Sequence, residues 1–284
     1  QIEQDLKEGN IVEAGLNRQI IDKSIYKIAY MKIERALDQS DVQSLMGWFT
    51  VMEKKFKISE KESFITNSAL VEIQESADKI DEYSDTIKSE LLGLFKLKTI
   101  EELEETIAAL NEGKMNDARK FAYEGLYYYR TLHPSVEEKL GAETANELLH
   151  EIQEAVEVTS SGLSAEEMKK EIEHIAAEVE IIIREYEGGN TSGIGAAIAG
   201  MKDRLVLVDE EYKDAVTNGQ ITNQEEYDET AVFLSKAMEI FNENKDGFLD
   251  ASESDTLLIE SNLIKMDQIV RSMGEYSEIK SHVA

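Results

Sequence analysis

The sequence predicts an all-α protein: duplicated three-helix units forming a helical bundle, followed by an EF-hand-like helix–loop–helix region. Three observations point there. The chain of 284 residues holds one Pro and no Cys, which long helices tolerate and turn-rich β architectures rarely show. Apolar residues recur at helical spacing through nearly every segment. Part of the first third of the chain is also echoed, in order, at an offset of 104 to 105 residues.

The length allows two or three cores. A hydrophobic content of 42% beside 31% charged residues is globular. The net charge of −29 disfavours binding to nucleic acid or to acidic lipid surfaces, and favours metal cations as partners. The absence of Cys excludes disulfides and thiolate metal sites. No apolar run approaches the ~20 residues needed to span a bilayer, so the chain is not expected to cross a membrane itself. It opens at Gln1 without an initiator Met, which predicts a trimmed chain with an extracytoplasmic location: secreted, periplasmic or cell surface.

The first unit is expected over 1–95. It opens with LKEGNIVEA (6–14), continues through an amphipathic run with Ile21, Ile25, Ile28, Tyr30 and Ile33 as its apolar residues, and reaches SLMGWFTVMEKKF (44–56). The second unit, 96–187, repeats the order. LNEGKMNDA (110–118) leads into a run with Phe121, Leu126, Tyr129 and Leu132, then ELLHEIQEAVEV (147–158). Ser59 with Glu62, and Ser164 with Glu167, have capping-box spacing and predict the start of the third helix in each copy. Glu101, Glu102, Glu104 and Glu105 read as a solvated face at a helix start. Trp48-Phe49 and Tyr127-Tyr128-Tyr129 read as core and near-core aromatics. A Gly-rich linker is expected over 188–200, and helix resumes through 201–284.

The sharpest chemical signal is NENKDGFLDASE at 242–253. A calcium-binding EF-hand loop needs oxygen donors at positions 1, 3, 5, 7, 9 and 12 and Gly at position 6. Asn242, Asn244, Asp246, Phe248 (through its carbonyl), Asp250 and Glu253 occupy the donor positions, with Gly247 at the turn. A weaker copy, DAVTNGQITNQE at 214–225, offers Asp214, Asn218, Gln220, Thr222 and Glu225, but its third position is Val216. Two Glu-x-x-His pairs, Glu147/His150 and Glu171/His174, have di-iron spacing, yet the apolar faces of their helices place them toward solvent. No Ser-His-Asp set or Cys nucleophile exists, so no enzyme is expected.

MKDRLVLVDEEYKDAVTNGQITNQEEYDETAVFLSKA, 201–237, resembles the soluble extracytoplasmic helical region associated with prokaryotic high-affinity iron permeases. The resemblance rests on Tyr212, Gly219, Glu226, Tyr227 and Glu229, and ARKFAYEGLYYYRTLHPSVEEKL (118–140) resembles another segment of that region. It implies a role in iron uptake beside a membrane permease. The permease's Arg-Glu-x-x-Glu motif is not found in this chain. Three functions therefore stand as expectations. The first is an extracytoplasmic calcium-binding protein, the ion acting as a structural clasp in a binding or cell-surface role. The second is a soluble, metal-binding accessory of iron uptake, and the third a carboxylate-bridged di-iron oxidase.

Overall fold

The computed structural model describes residues 2–61 and 63–283. Among these the chain forms twelve α-helices: α1 Ile2–Lys7, α2 Ile11–Asp38, α3 Val42–Phe56, α4 Thr66–Glu75, α5 Ile80–Asn111, α6 Met115–Leu140, α7 Ala142–Val158, α8 Ala165–Glu187, α9 Gly193–Ala215, α10 Gln224–Ala251, α11 Glu253–Ser272 and α12 Tyr276–Val283. The strands among the described residues, β1 Val216–Thr217 and β2 Gln220–Ile221, form one antiparallel ribbon. The fold is all-α, as the helical spacing predicts. Two compact units, residues 1–175 and 176–284, divide the chain within α8.

In the first unit α5 is the central helix. Its Phe95 meets Phe56 of α3 at 5.5 Å and Tyr30 of α2 at 5.9 Å, both edge to face. Tyr128 of α6 closes the group at 6.2 Å from Phe95. Four helices thus share one aromatic cluster, an arrangement that stabilises beyond simple area burial. Gly125 of α6 brings α6 close to α5, since a Cβ there would lie 3.3 Å from the Glu102 Cβ. Pro134 sits inside α6 and has no N–H to donate to the Arg130 carbonyl one turn earlier. Lys27 Nζ of α2 donates to that carbonyl instead, at 3.0 Å.

The start of α4 is satisfied from a distance. Glu90 of α5 accepts from Thr66 N at 2.9 Å and Thr66 Oγ1 at 2.6 Å, replacing a local cap. The repeat is clear in the α2–α3 and α6–α7 pairs, but its third helix differs between the copies. Ser164 and Glu167 form the predicted capping box, with Ser164 N donating to Glu167 Oε2 at 3.0 Å and Glu167 N to Ser164 Oγ at 3.3 Å. In the first copy Ser59 lies in a short 3₁₀ turn, Ile58–Glu60, and its backbone N–H donates to Glu53. Its intended partner Glu62 lies outside the described residues. Helix α5 also runs unbroken across 95, where the first unit was expected to end.

Helix α2 turns a different face inward from the one its isoleucines suggest. Ala29, Tyr30 and Ile33 are buried, whereas Ile21, Ile25 and Ile28 are about half exposed, at 54%, 43% and 48%. In the second unit the Gly-rich stretch shrinks to 188–192, because α9 begins at Gly193. The four helices α9–α12 enclose Leu207, Phe233, Phe241, Leu263 and Ile279.

Replacing Gly125 by Val would force a branched side chain between α5 and α6. The expected result is a loss of about 1–3 kcal/mol in urea denaturation. Unchanged stability would mean that the two helices are not held at this spacing.

Candidate metal centre

The predicted calcium loop is a helix. Residues 242–251 complete α10, which ends only at Ser252, whose N–H reaches the Phe248 carbonyl at 2.9 Å. Phe241 and Phe248 explain this. Both are buried, and their rings stack at 5.6 Å, which outweighs the ~1 kcal/mol helix cost of Gly247. Asn244 Nδ2 donates to Ile240 O at 2.9 Å, one turn back. Asn242, Asp246, Asp250 and Glu253 are exposed. At a rise of about 1.5 Å per residue, Asn242 and Asp250 stand ~12 Å apart, whereas calcium needs every donor at roughly 2.5 Å. These residues cannot share one ion in this conformation.

The weaker loop is a β-hairpin. Asn218 and Gly219 have φ of 53° and 69°, the two left-handed residues of a type I′ turn, and Asn-Gly is the sequence that best accepts them. Thr222 N closes the base onto the Ala215 carbonyl at 2.8 Å. Asp214, Asn218, Gln220, Thr222 and Glu225 are thereby spread along a ribbon and the start of the next helix. The Glu147/His150 and Glu171/His174 pairs are exposed, in agreement with the solvent-facing reading.

The hairpin matters for what it brings together. By reversing the chain it lays the end of α9 against the start of α10. Glu211, four residues before the end of α9, then meets Glu226 and Glu229 in the first turns of α10. One carboxylate oxygen from each lies within 4.8 Å of the other two. Glu211 is buried and the other two are half-buried. Like charges at 4.8 Å or closer repel by about 3.5 kcal/mol or more per pair at an effective dielectric constant of 20. A hard cation placed among them removes that repulsion and finds the oxygen donors it prefers.

Two tyrosines hold this corner. Tyr212 is buried and donates to the Gly274 carbonyl at 2.7 Å, and Tyr227 donates to the Val270 carbonyl at 3.0 Å. Burial, with the nearby Tyr227 hydroxyl, pushes the Tyr212 hydroxyl up to about 12, so it stays a donor. Residues 212, 219, 226, 227 and 229, which carry the iron-permease resemblance, are thus the turn, the pins and two of the three acids. Glu211 was missed in sequence, although it stands in the run Asp209-Glu210-Glu211-Tyr212 beside a pin.

A second acidic group was misread outright. Glu101, Glu102, Glu104 and Glu105 lie deep within α5 and are buried, at 4–6% exposure. In the first unit Glu102 faces Glu124 of α6, whose carboxylate pairs with Lys23 of α2 at 2.6 Å. Lys23 also stands 5.1 Å from the Tyr128 ring centre. One oxygen of Glu102, one of Glu124 and the Tyr128 hydroxyl are buried without a hydrogen-bond partner. Burial first, and then the Glu124 charge, hold the Glu102 carboxyl well above the usual carboxylate range, against the pull of Lys23. The Lys23 ammonium is engaged by Glu124 and not by Glu102.

Residues 1–178 match the family model of the iron permease FTR1 N-terminal domain, and residues 187–284 that of the iron permease-associated 4-helix bundle domain. The second match coincides with the four helices α9–α12. No curated protein and no solved structure matches the chain. These matches overturn the calcium-clasp function, because an iron permease domain and an iron permease-associated domain point to iron uptake and not to calcium. The extracytoplasmic placement (secreted, periplasmic or cell surface) is corrected with it, since the matched family is that of an iron permease, which acts in a membrane. No helix among the described residues is long and apolar enough to cross one.

The buried Glu102 gives a pH signature. Its folded value is raised, so its contribution is full below the unfolded glutamate value of about 4.3 and is lost as pH rises toward the folded one. Glu102→Gln, which keeps the shape and drops the titration, should leave stability little changed at acid pH and raise it increasingly toward pH 8, read by urea denaturation. Lys23→Met, by contrast, strands the Glu124 charge and should cost about 3–5 kcal/mol at pH 7.

Proposed function

Because the chain belongs to the FTR1 iron permease family, we propose that it binds iron cations as cargo for permeation, through the carboxylates of Glu211, Glu226 and Glu229. The observation that carries this reading is the convergence of the three oxygens within 4.8 Å at the hairpin-made corner of α9 and α10. Iron in either common oxidation state is served by carboxylate oxygen, and the chain has no thiolate to compete. The role in this reading is capture and release.

The −29 charge adds to this reading. A strongly negative surface raises the local concentration of cations and speeds their arrival, more so at low ionic strength. Half-burial of Glu226 and Glu229 leaves a route for exchange, as cargo requires. The partner in this reading is the membrane-embedded part of a permease.

Titration calorimetry with ferrous iron under anaerobic conditions, and with a ferric chelate in air, tests the proposal. About one iron should bind per chain. Glu226→Gln with Glu229→Gln should weaken binding at least tenfold, about 1.4 kcal/mol, without lowering the melting temperature. Equal iron affinity in the double variant would remove this cluster from the reading.

A further inference from the structure

Helix α2 carries an exposed seam with no part in the acidic corner. Its apolar members are Ile21, Ile25 and Ile28, with Met31 beside them, each 43–54% exposed. Between positions 18 and 35 the remaining exposed residues are Arg18, Lys32 and Arg35. Without Met31 the positions run 18, 21, 25, 28, 32, 35, alternating steps of three and four. That is the a/d pattern of a coiled-coil seam, narrower than the apolar stripe of a core-facing helix. The other side of α2 is already committed inward through Lys23, Ala29, Tyr30 and Ile33.

The charge on this seam is the reverse of the chain's. Acids outnumber bases 59 to 30 overall, yet on α2 from 18 to 35 the two acids, Asp22 beside Lys23 and Glu34, are part-buried while Arg18, Lys32 and Arg35 are exposed. Among the described residues Arg18, Lys32 and Arg35 form no ion pair, although carboxylates are abundant. A short apolar seam bracketed by cations at both ends is complementary to an apolar seam bracketed by acids.

We infer that the α2 seam docks an amphipathic partner helix with apolar residues at three–four spacing and Asp or Glu along the flanks. Self-association is a poor match. Antiparallel copies would set Arg18 against Arg35 and Ile21 against Lys32, while parallel copies would set each cation against itself. An anionic lipid surface is also a poor match. Interfacial helices present a broad apolar face with large aromatic or leucine side chains, and the rest of this chain repels acidic headgroups. The contact spans 18 residues, about 27 Å of helix, so it is a modest and reversible interface.

The test uses the full chain and a fluorescein-labelled 21-residue peptide with Leu at a and d and Glu at e and g. A second peptide carries Lys in place of Glu. The acidic peptide should bind in the micromolar range, more weakly as salt rises, and at least tenfold more tightly than the basic one. Ile25→Ser and, separately, Ile28→Ser should each weaken it about tenfold with an unchanged melting curve, since both side chains are exposed. Failure of the acidic peptide to bind, or equal binding to both variants, overturns the inference. So does co-sedimentation with phosphatidylglycerol vesicles, or dimerisation in sedimentation equilibrium, that Ile25→Ser abolishes, because the seam's occupant is then lipid or a second copy.

Discussion

Fifty-nine acidic residues set against thirty basic ones place one constraint on the whole structure: counter-charge is scarce. A buried carboxylate needs a cation, a hydrogen-bond network or a proton. The fold uses all of these. Glu124 takes Lys23. Glu180 takes both arms of Arg204, each at 2.9 Å. Burial works to raise the Glu180 carboxyl, but the Arg204 and Arg184 charges outweigh it and hold it below the ordinary range. Glu102, beside a Lys23 already engaged, has its carboxyl held above the usual range by burial and the Glu124 charge.

Against that economy, two places stand out for opposite reasons. At the α9–α10 corner three carboxylates are gathered at close range, the arrangement that a cation would complete. On α2, three cations stand in solvent and pair with none of the described acids. Both arrangements cost stability or forgo it in the isolated chain. Such departures from local consistency are where function concentrates.

Much of the helical architecture was legible from sequence because the apolar spacing is strong and because glycines punctuate the ends of α1, α5 and α6. The Ser164–Glu167 box and the α6–α7 pair were readable for the same reason. The failures are instructive. NENKDGFLDASE satisfies a ligand pattern residue by residue, but Phe241 and Phe248 lie seven apart on one helical face, and their burial decides the backbone. The run Glu101–Glu105 looked like surface because a central helix with charge on every side shows no apolar stripe. Two of the three acids of the corner, Glu226 and Glu229, were visible in the sequence. Its third member depends on an Asn-Gly reversal that sequence marked as a metal loop instead of a hairpin.

Pro134 bears on how the chain reaches this structure. The C-terminal half of α6 lacks one rung of its own ladder, and the replacement donor, Lys27, lies 103 residues earlier in the chain. The C-terminal half of α6 is therefore supported in part by α2 and not by its own ladder alone. Contacts of such high sequence separation must wait for loop closure and slow the search for the native state. On the same helix Tyr129 donates to the Ala145 carbonyl of α7 at 2.7 Å, so α6 links the first helix pair to the second. The duplicated helix pairs accordingly share one compact unit, residues 1–175, tied together by this contact between α2 and α6.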